Sequence, residues 1–288
     1  MRVARTPARA RAIVRAWRAE GDSIGFVPTM GALHAGHRSL LERARRDCDR
    51  VVASIFVNPL QFGPREDLAR YPRPIGADLA VLRAEKVDLL YVPFERTMYP
   101  PGFETRVAVP RTSAPMEGER RPGHFEGVAT VVAKLLGAIE PDRLYLGRKD
   151  AQQAVVLRRM VADLDCGVRV VVCPTVREPD GLALSSRNAY MTADERAWAP
   201  HLYAALREAA SRLRARGMSP RAAEAWLRRR LAAGPGRLDY ARAVDAETLG
   251  PPARGRPILL ALAYHLGRVR LIDNVLATER RAKGGARR

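Results

Sequence analysis

Apolar residues along the first 175 or so positions come in short runs, separated by segments whose apolar positions have helical spacing. "SIGFVP", residues 23–28, reads as a strand that Pro28 ends, and "HRSLLERARRDC", 37–48, as a helix with Leu40, Leu41, Ala44 and Cys48 on one face. "VVASIFVN", 51–58, is a continuous apolar run of the kind that buried parallel strands show. The alternation then repeats: "ADLAVLRAEK" helix, "VDLLYVP" strand, "GVATVVAKLLGAI" helix, "DRLYLG" strand, "AQQAVVLRRMVADL" helix, "VRVVVCP" strand. Strands separated by helices predict βαβ units and a parallel sheet. Ligands of such sheets sit beyond the carboxyl ends of the strands, which is where chemistry is sought.

The first twenty residues are Arg-rich and acid-poor, as organelle transit peptides are, but lack the apolar core of a secretory signal. Ile13, Val14 and Trp17 have helical spacing and an apolar strand follows at once, so this segment reads as an integral first helix. After Thr175 the pattern changes. "TADERAWAPHLYAALREAASRLRARG" (192–217) and "SPRAAEAWLRRRLAAG" (219–234) predict two amphipathic helices, N-capped by Thr192 and Ser219. "LDYARAVDAETL", "RPILLALAYHLG" and "VRLIDNVLA" read as short strands or mixed segments. The expected division is an α/β domain over 1–175 and a smaller α+β domain over 176–288.

Composition narrows the function classes. In 288 residues, 47% hydrophobic, no run approaches the ~18 consecutive apolar residues of a membrane span. Three cysteines, Cys48, Cys166 and Cys173, form no CxxC pair, which argues against a disulfide framework or a zinc site and fits a reducing cytoplasm. The net charge is +19, and only four of the 50 basic residues are lysines. Such charge suits a nucleic-acid surface. The arginines, however, are spread over the first helix, the 213–230 region and the tail "ERRAKGGARR", without interleaved aromatics to stack on bases. They read as dispersed, solvated charge.

Four polar loops follow predicted strands. In "PTMGALHAGH", Gly31 permits a close turn, and His34, Gly36 and His37 sit at a helix start, where unpaired N–H groups and the dipole favour an anion and two imidazoles can donate to it. A metal pair, a capping histidine or plain packing remain open for this HxxH. In "FVNPLQFGPREDLARYPR", the amides of Asn58 and Gln61 can donate and accept, which suits a hydroxy-acid; a Pro/Gly turn is the alternative. In "LYLGRKDAQQ", Gly147 opens a loop carrying Lys149, a compact ammonium in an arginine-rich chain, with Gln153 four residues on; Lys149 and Asp150 also read as solvated loop charges. In "PTVREPDGLALSSRN", Ser185, Ser186 and Arg187 form a cluster that could hold a polyphosphate, or a simple N-cap.

Taken in order, "PTMGALHAGH", "FVNPLQFGPREDLARYPR", "RPGHFEGVATVVAKLL", "LGRKDAQQ" and "PTVREPDGLALSSRN" resemble the pantothenate synthetase, or pantoate–β-alanine ligase, family, over nearly the whole chain from about Ile24 to "VRLIDN". The resemblance implies a Rossmann-like domain of the HxGH nucleotidyltransferase superfamily, a C-terminal α+β lid domain and a homodimer. It implies a Mg²⁺-assisted reaction in which ATP and pantoate give pantoyl adenylate and pyrophosphate, and the amine of β-alanine then gives pantothenate and AMP. By the same resemblance, Met30, Gly31, Ala32, Leu33, His34, Ala35, Gly36 and His37 would line the ATP site, His37 being the proton donor. Gly147, Arg148, Lys149, Asp150, Val176, Leu184, Ser185, Ser186 and Arg187 would also contact ATP, with His34, His37 and Lys149 catalytic. Gln61 and Gln153 would hold pantoate, and Asn58, Tyr71 and Arg121 would lie near the pocket.

Three positions depart from the family pattern: Arg148 where an acidic residue is usual, Ala151 where an aromatic is, and Leu184 where Met is. Leu for Met conserves volume, whereas Arg148 reverses a charge beside Lys149. Two other functions share some of these features. A dinucleotide-forming nucleotidyltransferase would share HxGH but not need the "NPLQFG" amides, and a nucleic-acid-binding protein would exploit the charge.

Overall fold

The computed structural model describes residues 1–277 apart from Arg65 and Arg216. The tail "ERRAKGGARR" therefore lies outside the described residues. The chain divides into two units, one of residues 1–177 with 184–186, the other of residues 178–183 with 187 onward.

In the first unit, strands β1 (Arg2–Ala4), β2 (Ile24–Thr29), β3 (Arg50–Ile55), β4 (Leu89–Tyr91), β5 (Arg143–Gly147) and β6 (Arg169–Cys173) form one parallel sheet in the order β1-β4-β3-β2-β5-β6. Its helices are α1 (Pro7–Ala19), α2 (Ala35–Asp47), α3 (Ile75–Ala84), α7 (His124–Ile139) and α8 (Ala151–Asp163), with single-turn α4 (Glu95–Met98), α5 (Pro110–Ser113) and α6 (Glu117–Arg120) between α3 and α7. Successive strand residues point to opposite faces. Phe26, Val52, Leu89 and Leu144 pack under Ile13, Val14 and Trp17 of α1 and the buried flank of α7. Val27, Val51, Ala53 and Tyr145 pack against Leu40, Leu41 and Ala44 of α2. From β2 the chain steps outward to β3 and β4, then returns to place β5 on the other side of β2. The crevice between the carboxyl ends of β2 and β5 is thus the topological switch point where ligands of such sheets bind.

Two local expectations fail here. β2 continues through Pro28 to Thr29, because it pairs with β5 only at Gly25 and Phe26, so a residue without an N–H is tolerated beyond them. β1, only three residues long at the sheet edge, carries no periodic signal and was not anticipated.

The arginines of α1 keep the solvated character expected of them, Arg9, Arg15 and Arg18 being exposed, but three of them also meet the end of α7. Arg11 donates to Gly137 O at 2.6 Å and Arg18 to Glu140 O at 2.6 Å, while Arg15 pairs with the Glu140 carboxylate at 3.1 Å and Arg18 with Asp142 at 2.9 Å. Guanidiniums therefore satisfy the last carbonyls of α7 and complement its dipole.

The second unit is an antiparallel sheet, β7 (Arg237–Asp245), β8 (Ile258–Leu266) and β9 (Val269–Leu276), packed against α10 (Pro200–Arg214) and α11 (Pro220–Ala232). Thr192 caps α9 (Ala193–Trp198) in a capping box with Glu195, and Ser219 caps α11. The single helix expected over 192–217 is broken: Pro200 lacks an N–H and starts α10 at its first position, leaving α9 as a separate turn and a half. A parallel sheet with flanking helices and a small α+β unit is the architecture the apolar pattern predicts, with β1 added at its edge as a sixth strand. Among the described residues no helix is long and apolar enough to cross a membrane.

Candidate active site

The loop after β2 is held from both sides. Thr29 Oγ1 accepts the Gly31 N–H at 3.1 Å and donates to Ser54 O at 2.7 Å. Asp78 of α3, 2% exposed, takes the N–H groups of Ala32 and Leu33 on its two carboxylate oxygens at 2.9 and 2.8 Å. Those bonds stabilise a left-handed stretch in which Gly31 and Ala32 have φ of 84° and 51°. α2 then begins with a capping box built from two histidines: His34 Nδ1 accepts the Gly36 N–H at 3.1 Å, and His37 Nδ1 accepts the His34 N–H at 3.2 Å. Gly36 is required there, since a Cβ would stand 2.8 Å from the His34 ring.

This geometry revises the expected anion cradle. The N–H groups of Gly31 through His34 and of Gly36 and His37 are all engaged within the protein. What the loop offers a phosphate from its side chains is the Nε2–H of each imidazole, because an Nδ1 that accepts a backbone N–H fixes the neutral Nε2–H tautomer. Burial is the main cause that lowers the pKa of both rings, to about 3 for His37, with the Lys149 charge assisting. His37 is therefore a neutral donor at physiological pH.

The loop after β3 carries Asn58 and a 3₁₀ turn, Pro59–Gln61. Asn58 is 1% exposed and its amide is spent: Nδ2 donates to Gln61 Oε1 at 3.0 Å and Gly127 O at 3.1 Å, and Oδ1 accepts from Leu60 N–H and Tyr99 Oη. It thereby orients Gln61. With Gln61 Oε1 occupied, Nε2 is the end left to donate, and it lies 3.3 Å from Met30 Sδ in the β2 loop. A thioether is a weak acceptor that a carboxylate oxygen would displace. Gly127 of α7 permits this arrangement, since a Cβ would come within 2.2 Å of Leu60 O.

Arg121 is engaged by Glu66, at 2.6 and 2.8 Å, and by the His124 ring. Tyr71 is buried edge-on against Phe62. At the carboxyl end of β5, Arg148–Asp150 forms a 3₁₀ turn before α8 starts, so the helical spacing assumed between Lys149 and Gln153 does not hold across that junction. Lys149 Nζ is 3.4 Å from Asp150 Oδ1. The two glutamines divide their work: Gln152 is buried and binds Pro115 O and the Glu117 N–H, while Gln153 stays partly open. Val176 and Leu184 are brought together by a Leu184 N–H to Val176 O bond at 3.1 Å. Ser185 and Ser186 belong to the first unit and Arg187 to the second. Asp78, Tyr99, Gln152, His124 and Glu66 were not singled out from the sequence; each is an ordinary polar residue until its partner, tens of residues away, is known.

Three depressed histidines make stability acid-sensitive. His124, buried beside Arg121, is lowered to about 4 and His37 to about 3, with His34 lowered too. The unfolded chain takes up these protons near pH 6.5 and the folded one does not, so their stabilisation is complete above pH 6.5 and is lost as pH falls towards 4 and 3. The expected slope is up to about 1.4 kcal/mol per pH unit for each of His37 and His124. Urea unfolding between pH 7 and 4.5 measures it, and His37→Gln should flatten the slope by about one proton; an unchanged slope refutes the assignment.

Comparison with known proteins places this geometry. The pantoate-beta-alanine ligase family model matches residues 2–276. A pantothenate synthetase of Chloroflexus aurantiacus is 53% identical over 90% of this chain and 93% of its own, and one of Rhodospirillum rubrum is 50% identical over 95% and 98%. The crystal structure of the Thermus thermophilus pantothenate synthetase superposes with a TM-score of 0.90 at 48% identity, covering 97% of this chain and 100% of that one. The pantoate-β-alanine ligase of Francisella tularensis, crystallised with βγ ATP and β-alanine, superposes with a TM-score of 0.81 at 36% identity over 96% and 98%. By family model, sequence and fold together, this chain belongs to the pantoate–β-alanine ligase family.

Proposed function

We propose that this ATP-dependent pantoate–β-alanine ligase works through a pantoyl adenylate. The ligase activity itself follows from family membership. A pantoate carboxylate oxygen attacks the α-phosphorus of ATP and pyrophosphate leaves. The amine of β-alanine then attacks the acyl carbon, AMP leaves and the amine proton passes to solvent. The observation that carries this reading is the 3.3 Å approach of Gln61 Nε2 to Met30 of the histidine loop. A donor for a substrate oxygen thereby adjoins the proposed nucleotide loop, so a carboxylate held there starts beside the phosphate it attacks.

Met30 to His37, Gly147 to Asp150, Val176, Leu184, Ser185 and Ser186 are read as the nucleotide-binding set, with Gln61 and Gln153 on pantoate. Asn58 acts through Gln61, and Arg121 supports the same segment. No nucleophilic side chain is required. Among the described residues no group of three or more metal-ligating side chains forms a cage. Mg²⁺ bound with the nucleotide would have Asp150, beside Lys149, as a carboxylate that could help hold it. When bound, it neutralises charge on the phosphates. We further read the enzyme as a cytoplasmic homodimer that does not act on nucleic acid.

Mixing protein, ATP, Mg²⁺ and pantoate, with and without β-alanine, tests the route. Pyrophosphate release that needs pantoate but not β-alanine, followed by AMP release that needs both, is expected. Pyrophosphate released only when β-alanine is present would overturn the adenylate.

A further inference from the structure

Behind Gln61 runs a chain of polar groups of which the reading above uses only Arg121. The Gln61 carbonyl oxygen lies 2.8 Å from His124 Nδ1, and Arg121 Nη2 approaches the same oxygen at 3.4 Å. His124 Nε2 lies 3.1 Å from Arg121 Nη1, and the Arg121 guanidinium is gripped by both oxygens of Glu66, at 2.8 and 2.6 Å, with Glu117 at 3.9 Å. The partners dictate the tautomer. A carbonyl only accepts, so Nδ1 carries the proton; a guanidinium only donates, so Nε2 is bare. His124 is thus the reverse of His34 and His37, whose Nδ1 atoms accept.

We propose that His124 is a positioning residue for pantoate binding: it fixes the Gln61 backbone through its Nδ1–H, and is itself fixed by the Glu66–Arg121 pair. This rests on the reading that Gln61 binds pantoate. Three observations converge on it. Gln61 is pinned at both ends, its side chain by Asn58 and its carbonyl by His124. His124 opens α7, the same helix whose Gly127 lets the 59–61 turn sit against it, so one rigid element holds both contacts. His124 is 9% exposed, and its two ring nitrogens are both engaged. A neutral donor is needed there: lysine or arginine would clash in charge with Arg121, and a carboxylate could not donate to the carbonyl.

His124→Phe keeps the ring contact with Phe125 but removes both nitrogens. The expected result is a rise of roughly tenfold to thirtyfold in the KM for pantoate, the scale of leaving one buried acceptor unsatisfied, with the KM for ATP within threefold of wild type. His124→Asn, whose amide replaces the Nδ1–H donor, should recover most of that loss. In a Gln61→Ala background, His124→Phe should add no more than threefold, because the group it positions is gone. Equal changes in both KM values, no rescue by Asn, or a full effect persisting without the Gln61 side chain would each overturn the proposal. Gln61→Ala alone reports on the underlying reading: an unchanged pantoate KM removes Gln61 from the substrate, and the proposal with it, whereas a raised KM with a silent His124→Phe removes only His124. A readout on the unmutated protein covers poor folding of the variants. Long-range ¹H–¹⁵N NMR should show His124 as Nδ1–H and His34 and His37 as Nε2–H, and an Nε2–H signal for His124 refutes the proposal.

Discussion

Replacing His37 with alanine is expected to slow pantoate-dependent pyrophosphate release by at least about a hundredfold while leaving the fold intact. The magnitude is that of one well-placed donor to charge developing in a transition state. As pantoate attacks, negative charge builds on the α-phosphoryl oxygens and on the leaving pyrophosphate. The Nε2–H groups of the two histidines are the side-chain donors this loop supplies, the amides of Gly31 to His34, Gly36 and His37 being engaged.

The family role of His37 as a proton donor predicts something different from the tautomer seen here. A ring with its pKa near 3 carries no extra proton to give at pH 7, and a donor that stays neutral leaves no inflection between pH 5 and 8. His37→Gln separates the two, since a glutamine amide reproduces a neutral N–H donor but transfers no proton. Recovery of at least tenfold over His37→Ala in pyrophosphate release supports the neutral donor. Gln as inactive as Ala, with a wild-type acid limb near pH 6, would establish proton transfer.

That difference shows where reading the sequence stops. The two histidines, their helix start and the carboxyl-end location were all legible, since apolar runs and caps depend on local pattern: Leu40, Leu41 and Ala44 pack where periodicity puts them, and Thr192 and Ser219 cap where expected. The proton on each ring was not, because a tautomer is set by the atoms that meet it. The same limit hid Asp78, an unremarked acidic residue of a helix until its two oxygens are seen on Ala32 and Leu33, 46 and 45 residues away. It separated Gln152 from Gln153, neighbours with identical side chains, one spent on Pro115 and Glu117 and one free for substrate chemistry. It also hid the four hydrogen bonds that the Asn58 amide makes, one of them to Gln61. Residues whose partners lie within a turn were predictable; residues whose partners arrive by folding were not.

Lys149→Ala should cost at least about a hundredfold in adenylation and also change the two histidines. Lys149 is a cation that the β5 loop contributes, with its side chain 22% exposed and the Asp150 carboxylate at 3.4 Å. In the proposed site a compact ammonium could follow a phosphate whose geometry changes through the reaction, whereas a planar guanidinium demands a fixed fork, so Lys149→Arg should recover less than a tenth of the lost rate. The second consequence follows from the field of that charge. It contributes to lowering both His34 and His37, so its removal should raise the pKa of each ring, with burial left as the larger cause. An NMR titration of the alanine variant should find the His34 resonance moving at higher pH than in wild type. A rate within tenfold of wild type would remove Lys149 from the phosphates. A slow enzyme whose histidines titrate as before would mean that Lys149 acts at a distance from the HxGH loop, and that the loops after β2 and β5 do not share one field.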